Sequence, residues 1–142
     1  MKRKVCDKAA PEMEVLILKA RSALEQAYAP YSEYRVGAAL LAGNGAVYTG
    51  INVENSSYGL AVCAERVAVF KAVSEGRTDF EALAVAADHG GPPRLCGACL
   101  QVLTEFSDDM PIFLAGAGGR IEETSLSRLL PHPFRIRSPR ED

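Results

Sequence analysis

Two short stretches carry residues that could do chemistry together, Cys63-Ala64-Glu65-Arg66 and Cys96-Gly97-Ala98-Cys99. They hold three of the four cysteines and one carboxylate two residues from the first thiol. Two thiolates in a C-x-x-C turn bind one Zn²⁺ at about 2.3 Å, and a third sulfur from elsewhere leaves one tetrahedral position for water. A closed structural site would need a fourth ligand from a second C-x-x-C or C-x-x-H, and Cys63 has only Glu65 and Arg66 as polar neighbours. The C-x-x-C alone also fits a redox dithiol, a structural zinc knuckle or a chance pair of buried cysteines. Glu65, so close to a third cysteine, shifts the balance toward a metal-activated water.

The residue types suit that chemistry. Three thiolates place more negative charge on a metal than imidazoles would, which weakens its power to acidify a bound water. A cation is needed to offset them, and Arg66 stands three positions after Cys63, on its side of a helix. Two helix N-termini would add their dipoles. Glu65 is then the candidate proton carrier, from water to a substrate nitrogen and leaving group. Residues two apart on a helix point to opposite flanks, so Cys63 is expected at the helix entry, where the chain is not yet helical.

In their order along the chain these residues resemble a known family. Cys63-x-Glu65 and Leu95-Cys96-x-x-Cys99 match the zinc deaminase signature in its three-cysteine form. Together with Ala29-Pro30-Tyr31-Ser32, Val36-Gly37-Ala38-Ala39-Leu40, Asn52-Val53-Glu54-Asn55 and Leu129-Leu130-Pro131, they make the chain similar to the small homotetrameric zinc-dependent cytidine deaminases. The resemblance implies an α/β fold, a three-layer α/β/α sandwich on a mixed five-stranded sheet. It implies one Zn²⁺ per chain on Cys63, Cys96 and Cys99, with Glu65 catalytic and Arg66 compensating the thiolates. The activity implied is hydrolytic deamination of cytidine and 2′-deoxycytidine in pyrimidine salvage.

The same resemblance assigns the substrate contacts. Asn52 and Glu54 would hold the sugar 3′-hydroxyl, Tyr34 would stack on the pyrimidine, and Ala64 would line the pocket. Ser56, Tyr58 and Phe134 would reach a neighbouring subunit's site within a homotetramer. Without the resemblance, Tyr34 reads as an ordinary strand aromatic, and Asn52 and Glu54 as a polar strand end. The chain departs from the family's usual residues at four places: Tyr34 for Phe, Arg35 for Pro, Leu95 for Pro and Leu100 for Arg. Leu100 removes a cation and leaves Arg66 as the main compensating charge, while Arg35 is expected to face solvent. Two rivals stay open, the first of them suited by Leu95, Leu100 and Tyr34. One is a deaminase of another aminopyrimidine nucleoside, blasticidin-type or a modified cytidine, and the other is a non-enzymatic zinc-stabilised binding protein.

The elements that must position these groups follow from composition and periodicity. A chain of 142 residues with 48% hydrophobic residues suffices for one domain over 1–142 with its own core. The net charge of −2 offers no basic field for a nucleic acid. No apolar run reaches membrane-spanning length and no signal core follows the basic N-terminus, so a cytoplasmic protein is expected. Residues 1–10 and 135–142 read as flexible, with Cys6 a free surface thiol.

A helix should open at Pro11 and run toward Pro30, with Met13, Leu16, Ile17, Ala20, Leu24 and Ala27 on one face. Residues 34–41 and 46–53 read as a hairpin around Gly43-Asn44-Gly45. Residues 62–75 form an apolar helix closed by Gly76, with little of its surface suited to water. A doubly covered strand at 81–87 follows, then a helix at 97–106 with Cys96 and Cys99 on its first turn. Strands at 111–115 and 120–123 and a short helix capped by Ser125 complete the order. His89 and His132 lie in Gly/Pro-rich loops and read as exposed side chains rather than ligands.

Overall fold

The structure, a computed structural model, describes residues 9–136. Cys6 and most of both expected flexible ends lie outside the described residues. Helix α1 (Ala9–Leu24) begins two residues before Pro11 and ends well before Pro30, which corrects both expected limits. Proline is tolerated within the first turn because the N–H it lacks has no intrahelical acceptor there. At the other end, i→i−3 bonds from Gln26 to Ala23 and from Ala27 to Leu24 tighten the last turn. Tyr28 then donates to the Asn52 carbonyl and accepts from Glu54 N–H, so pairing with a distant segment stops the helix before proline does.

Strands β1 (Val36–Ala42) and β2 (Val47–Ile51) form the expected antiparallel hairpin. Gly45 takes the turn's left-handed position at φ 89°, and Asn44 Oδ1 accepts from Ala46 N–H. The chain continues through a 3-10 turn (Tyr58–Leu60), α2 (Ala64–Ser74), β3 (Phe80–Ala87), α3 (Gly97–Phe106), β4 (Pro111–Ala115), β5 (Ile121–Ser125) and a short α4 (Leu126–Leu129). The five strands lie in the order β2-β1-β3-β4-β5. Only β3 and β4 are parallel, as their crossover through α3 requires.

Alternation along the central strands builds two cores. Ala38, Leu40, Leu83, Val85, Ile112 and Leu114 pack with α2 and α3, while Ala39, Ala82, Ala84, Ala86, Phe113 and Ala115 pack with α1. The mixed sheet is thus covered on both faces, as the α/β/α reading expects. The long apolar run of α2 does not leave that helix wholly buried. One side, with Ala64, Ala68, Val69 and Ala72, meets the sheet, whereas Phe70 is half exposed.

Two glycines set how closely the layers approach. A Cβ on Gly37 would stand 2.0 Å from the Ala20 carbonyl oxygen of α1, and one on Gly50 2.2 Å from the Ala64 oxygen at the start of α2. The first turn of α2 therefore rests almost directly on β2. At its far end the Gly76 N–H bonds the Val73 carbonyl and the Arg77 N–H bonds Ala72, a Schellman closure with Gly76 at φ 83°. Among the described residues no helix is long and apolar enough to cross a membrane.

Candidate active site

Two helix N-termini meet at the cysteines. Cys63 caps α2 and Cys96 caps α3, both with extended backbone, so Cys63 does precede its helix. Cys96 does too, and is not on the first turn as expected. Its sulfur accepts the Cys99 N–H at 3.4 Å, satisfying a donor that has no helical acceptor. The sulfurs of Cys63 and Cys96 are 3.8 Å apart, those of Cys96 and Cys99 3.5 Å, and all three lie within 4.8 Å of one another. Ligands about 2.3 Å from a tetrahedral zinc are separated by about 3.8 Å, so this donor set fits that ion.

Charge around the sulfurs agrees. The Cys99 thiol and the Arg66 guanidinium, the latter 3.7 Å away, hold Cys63 as a thiolate at about 5 against the opposing effect of burial. Cys99 is pushed upward by its bond to that thiolate and by burial. Arg66 faces both Cys63 and Cys99, a single positive charge beside sulfurs that lie within 4.8 Å of one another, and a dication would offset the charge of three thiolates. Arg66 reaches the Cys63 sulfur through Nη2, while its Nε is buried without a hydrogen bond. Leu100 and Leu95 pack into the α2/α3 core, where they extend the apolar wall beside the site.

Glu65 is the buried acid of the site, only 4% exposed. Burial, and next the adjacent Cys63 thiolate, raise its carboxyl to about 7. Ala64, between Cys63 and Glu65, is fully buried. Burial also raises the Tyr34 phenol, with further contributions from Asp88 and Glu65, which places the ring within electrostatic reach of the acid.

Asn52 and Glu54 are half-buried while Val53 between them is exposed, the alternation expected of an extended segment. Their polar atoms brace the loop that carries Tyr34. Asn52 Oδ1 accepts the Val36 N–H at 2.9 Å and its Nδ2 donates to the Tyr34 carbonyl at 2.8 Å. Glu54 Oε1 accepts the N–H groups of Tyr31 and Ser32 at 2.9 and 3.1 Å, and Oε2 accepts the Ser32 hydroxyl at 2.5 Å. These bonds, the hydroxyl of Ser32 foremost, hold Glu54 below the usual carboxylate range.

Ser32, which the sequence marks only as the end of Ala29-Pro30-Tyr31-Ser32, joins the site through its hydroxyl. Its hydroxyl also accepts the Tyr34 N–H at 3.1 Å, and so links the pyrimidine-side and sugar-side candidates. Asp88 is a second residue that sequence reasoning missed. It takes the Arg35 N–H at 3.0 Å, Arg35 Nε at 2.8 Å and His89 Nδ1 at 2.8 Å. Arg35 is therefore paired rather than simply solvent-facing. His89 and His132 are exposed, as expected of loop histidines.

The remaining candidates lie at the surface. The Ser56 hydroxyl is 2.8 Å from Tyr31 Oη, and Tyr58 meets the Tyr31 ring edge-on. Tyr31, Ser32, Glu54, Asn55, Tyr58 and Ala61 line an open pocket there. Phe134 stands apart at the end of the described chain, 72% exposed.

Residues 11–115 match the model of the cytidine and deoxycytidylate deaminase zinc-binding region. The chain belongs to this family. It is 53% identical over 124 residues to a cytidine deaminase of Sporosarcina psychrophila, covering 87% of this chain and 91% of that one. A cytidine deaminase of Halalkalibacterium halodurans is 50% identical over 124 residues, covering 87% and 94%. Among solved structures, the cytidine deaminase of Burkholderia pseudomallei superposes with a TM-score of 0.82 at 45% identity, over 85% of this chain and 98% of that one. The family's mixed five-stranded α/β fold is the fold seen here.

Proposed function

We propose that this chain is a zinc-dependent cytidine deaminase, converting cytidine and 2′-deoxycytidine with water into the corresponding uridines and ammonia. The observation that carries the reading is the three-sulfur cluster at two helix N-termini with the buried carboxyl of Glu65 beside it. Cys63, Cys96 and Cys99 hold the ion. Bound there, Zn²⁺ supplies a Lewis acid that brings a water toward ionisation near neutrality.

The remaining steps belong to the protein. Glu65, the buried carboxyl beside the sulfurs, can take a proton from the attacking water and return it. It delivers protons to the ring nitrogen and then to the departing amino group. Arg66 offsets the sulfur charge. Tyr34 offers its face to the pyrimidine, its backbone fixed by Asn52 and Ser32. Asn52 keeps a second amide hydrogen and Glu54 keeps free lone pairs, a donor and an acceptor for the sugar hydroxyl. Ala64 is wholly buried in the single chain, and its assignment to the pocket rests on its place between Cys63 and Glu65.

Ser56, Tyr58 and Phe134 are placed in a neighbouring copy's pocket, in a homotetramer with shared sites. Their exposure in the single chain supports that assignment. The substrate is a small nucleoside, and the enzyme works in the cytoplasm. Incubation with cytidine, following ammonia release and zinc content together, tests the reading. About one zinc per chain and turnover of cytidine, but not of adenosine or free cytosine, is the expected outcome. A panel with blasticidin-type and modified nucleosides separates the nearest rival, and absence of any deamination from a zinc-loaded chain would overturn the enzyme.

A further inference from the structure

The segment after α4 is tied to α3 in an unusual way. Gln101 Nε2 donates to the Phe134 carbonyl at 2.8 Å, and Gln101 Oε1 accepts the Phe134 N–H at 3.1 Å. One primary amide thus meets both backbone groups of one residue, 33 positions away, as a strand partner would. Pro131 and Pro133 supply no N–H donors to this stretch. A second tie follows at once, from Arg135 Nη1 to Asp108 Oδ1 at 3.2 Å. The backbone at Phe134 is therefore anchored, yet the residue is left 72% exposed. Anchoring a main chain while leaving an aromatic ring in water is the arrangement of a side chain presented to something else.

We infer that Gln101 is the positioning residue for Phe134, and that by fixing that ring it sets how tightly the site closed by Phe134 holds substrate. The inference rests on the proposed role of Phe134 as the aromatic that closes a second copy's pocket. Gln101 stands two residues after Cys99 on the same helix. The ring is thereby referenced to the helix that carries Cys99 and is capped by Cys96, and not to the chain's trailing end. Gln101 touches no reacting atom, so its removal should act on binding and not on the chemical step.

The test has one readout in solution spectroscopy and one in kinetics. The chain contains no tryptophan, so Phe134→Trp gives a single fluorescent reporter. Adding Gln101→Ala to it should increase acrylamide quenching and lower anisotropy, with zinc content unchanged. In the native background, Gln101→Ala should raise KM for cytidine by about five- to tenfold, the loss expected of one or two hydrogen bonds, and leave kcat within about twofold. Gln101→Glu keeps the acceptor but sets a carboxylate oxygen against the Phe134 carbonyl where the amide donated, and should loosen the clamp at least as much as Gln101→Ala. In a Phe134→Ala background, Gln101→Ala should add nothing further. Equal effects with and without the Phe134 ring, or unchanged quenching of the reporter, would overturn the assignment. The quenching arm needs no turnover, so a chain that failed to deaminate cytidine would sink the functional reading while the clamp was still decided.

Discussion

Glu65, the proposed proton carrier, stands in a pocket that disfavours its charge. Burial and the neighbouring thiolate raise its carboxyl to about 7, and a dication held by that thiolate would act in the opposite direction. Changing Glu65 to Gln keeps the shape and removes the titration. We expect zinc to remain and kcat to fall by at least about 10²-fold, measured by steady-state kinetics alongside metal analysis. Near-normal turnover in that variant would remove Glu65 from the mechanism. Cys99→Ala should behave oppositely, losing the metal and melting earlier, since a ligand binds the folded state alone and its loss weakens folding. Retention of a full zinc equivalent by that variant would show that the cluster is not the site.

At the scale of elements, the turn that carries Cys63 and Glu65 depends on a close approach and an anchored loop. Gly50 lets the first turn of α2 lie on β2, since a Cβ there would stand 2.2 Å from the Ala64 oxygen and 2.6 Å from the Ala68 nitrogen. Both are backbone atoms, so α2 itself must move. Gly50→Ala is expected to cost about 3 kcal/mol or more, at the upper end of overpacking, and to lower zinc affinity by displacing Cys63. Thermal melts with and without chelator check both effects.

Asp88 does the corresponding work for the Tyr34 loop, at the end of β3. Burial would raise its pKa, but bonds from Arg35 and His89 outweigh that and hold it at about 2, below its ordinary 3.8. A carboxylate with a depressed pKa adds stability that is present above its unfolded value and lost as the pH falls through the folded one. Asp88→Asn should therefore cost about 1 kcal/mol at neutral pH, a figure discounted because Arg35 is partly exposed, and the deficit should fade between about pH 4 and 2. Denaturant midpoints measured across that range provide the check, and a deficit independent of pH would point to lost packing instead.

For the whole molecule the proposal is an assembly with shared sites. Tyr58, Leu60, Phe70 and Phe134 leave much apolar surface in water in the single chain, an arrangement that suits burial between copies. Mixing Glu65→Gln with Phe134→Ala, after dissociation and reassembly, can create a site whose acid comes from one variant and whose aromatic comes from the other. Activity above either parent is the expected result. Mixtures that never exceed the parents, or a fully active monomer on sizing, would refute sharing and leave the zinc chemistry as it stands.

Short-range signals alone determined much of this protein. The thiol and carboxylate types, the C-x-x-C spacing, the extended entry at Cys63, the turn at Gly45, the closure at Gly76 and the alternation of the strands each depend on a few neighbouring residues. Those preferences act before any tertiary contact forms. The tertiary structure decided which distant groups meet. Cys63 lies 3.8 Å from Cys96 because β3 carries the chain between two helices that start at the same end of the sheet. Helix α1 stops at Leu24 because Tyr28 pairs with the segment around Asn52 and Glu54. Those two side chains brace residues 31–36, Arg35 finds Asp88, and Gln101 finds Phe134. No periodicity encodes such pairs, since each follows from strand register and layer packing, and these bring together residues tens of positions apart.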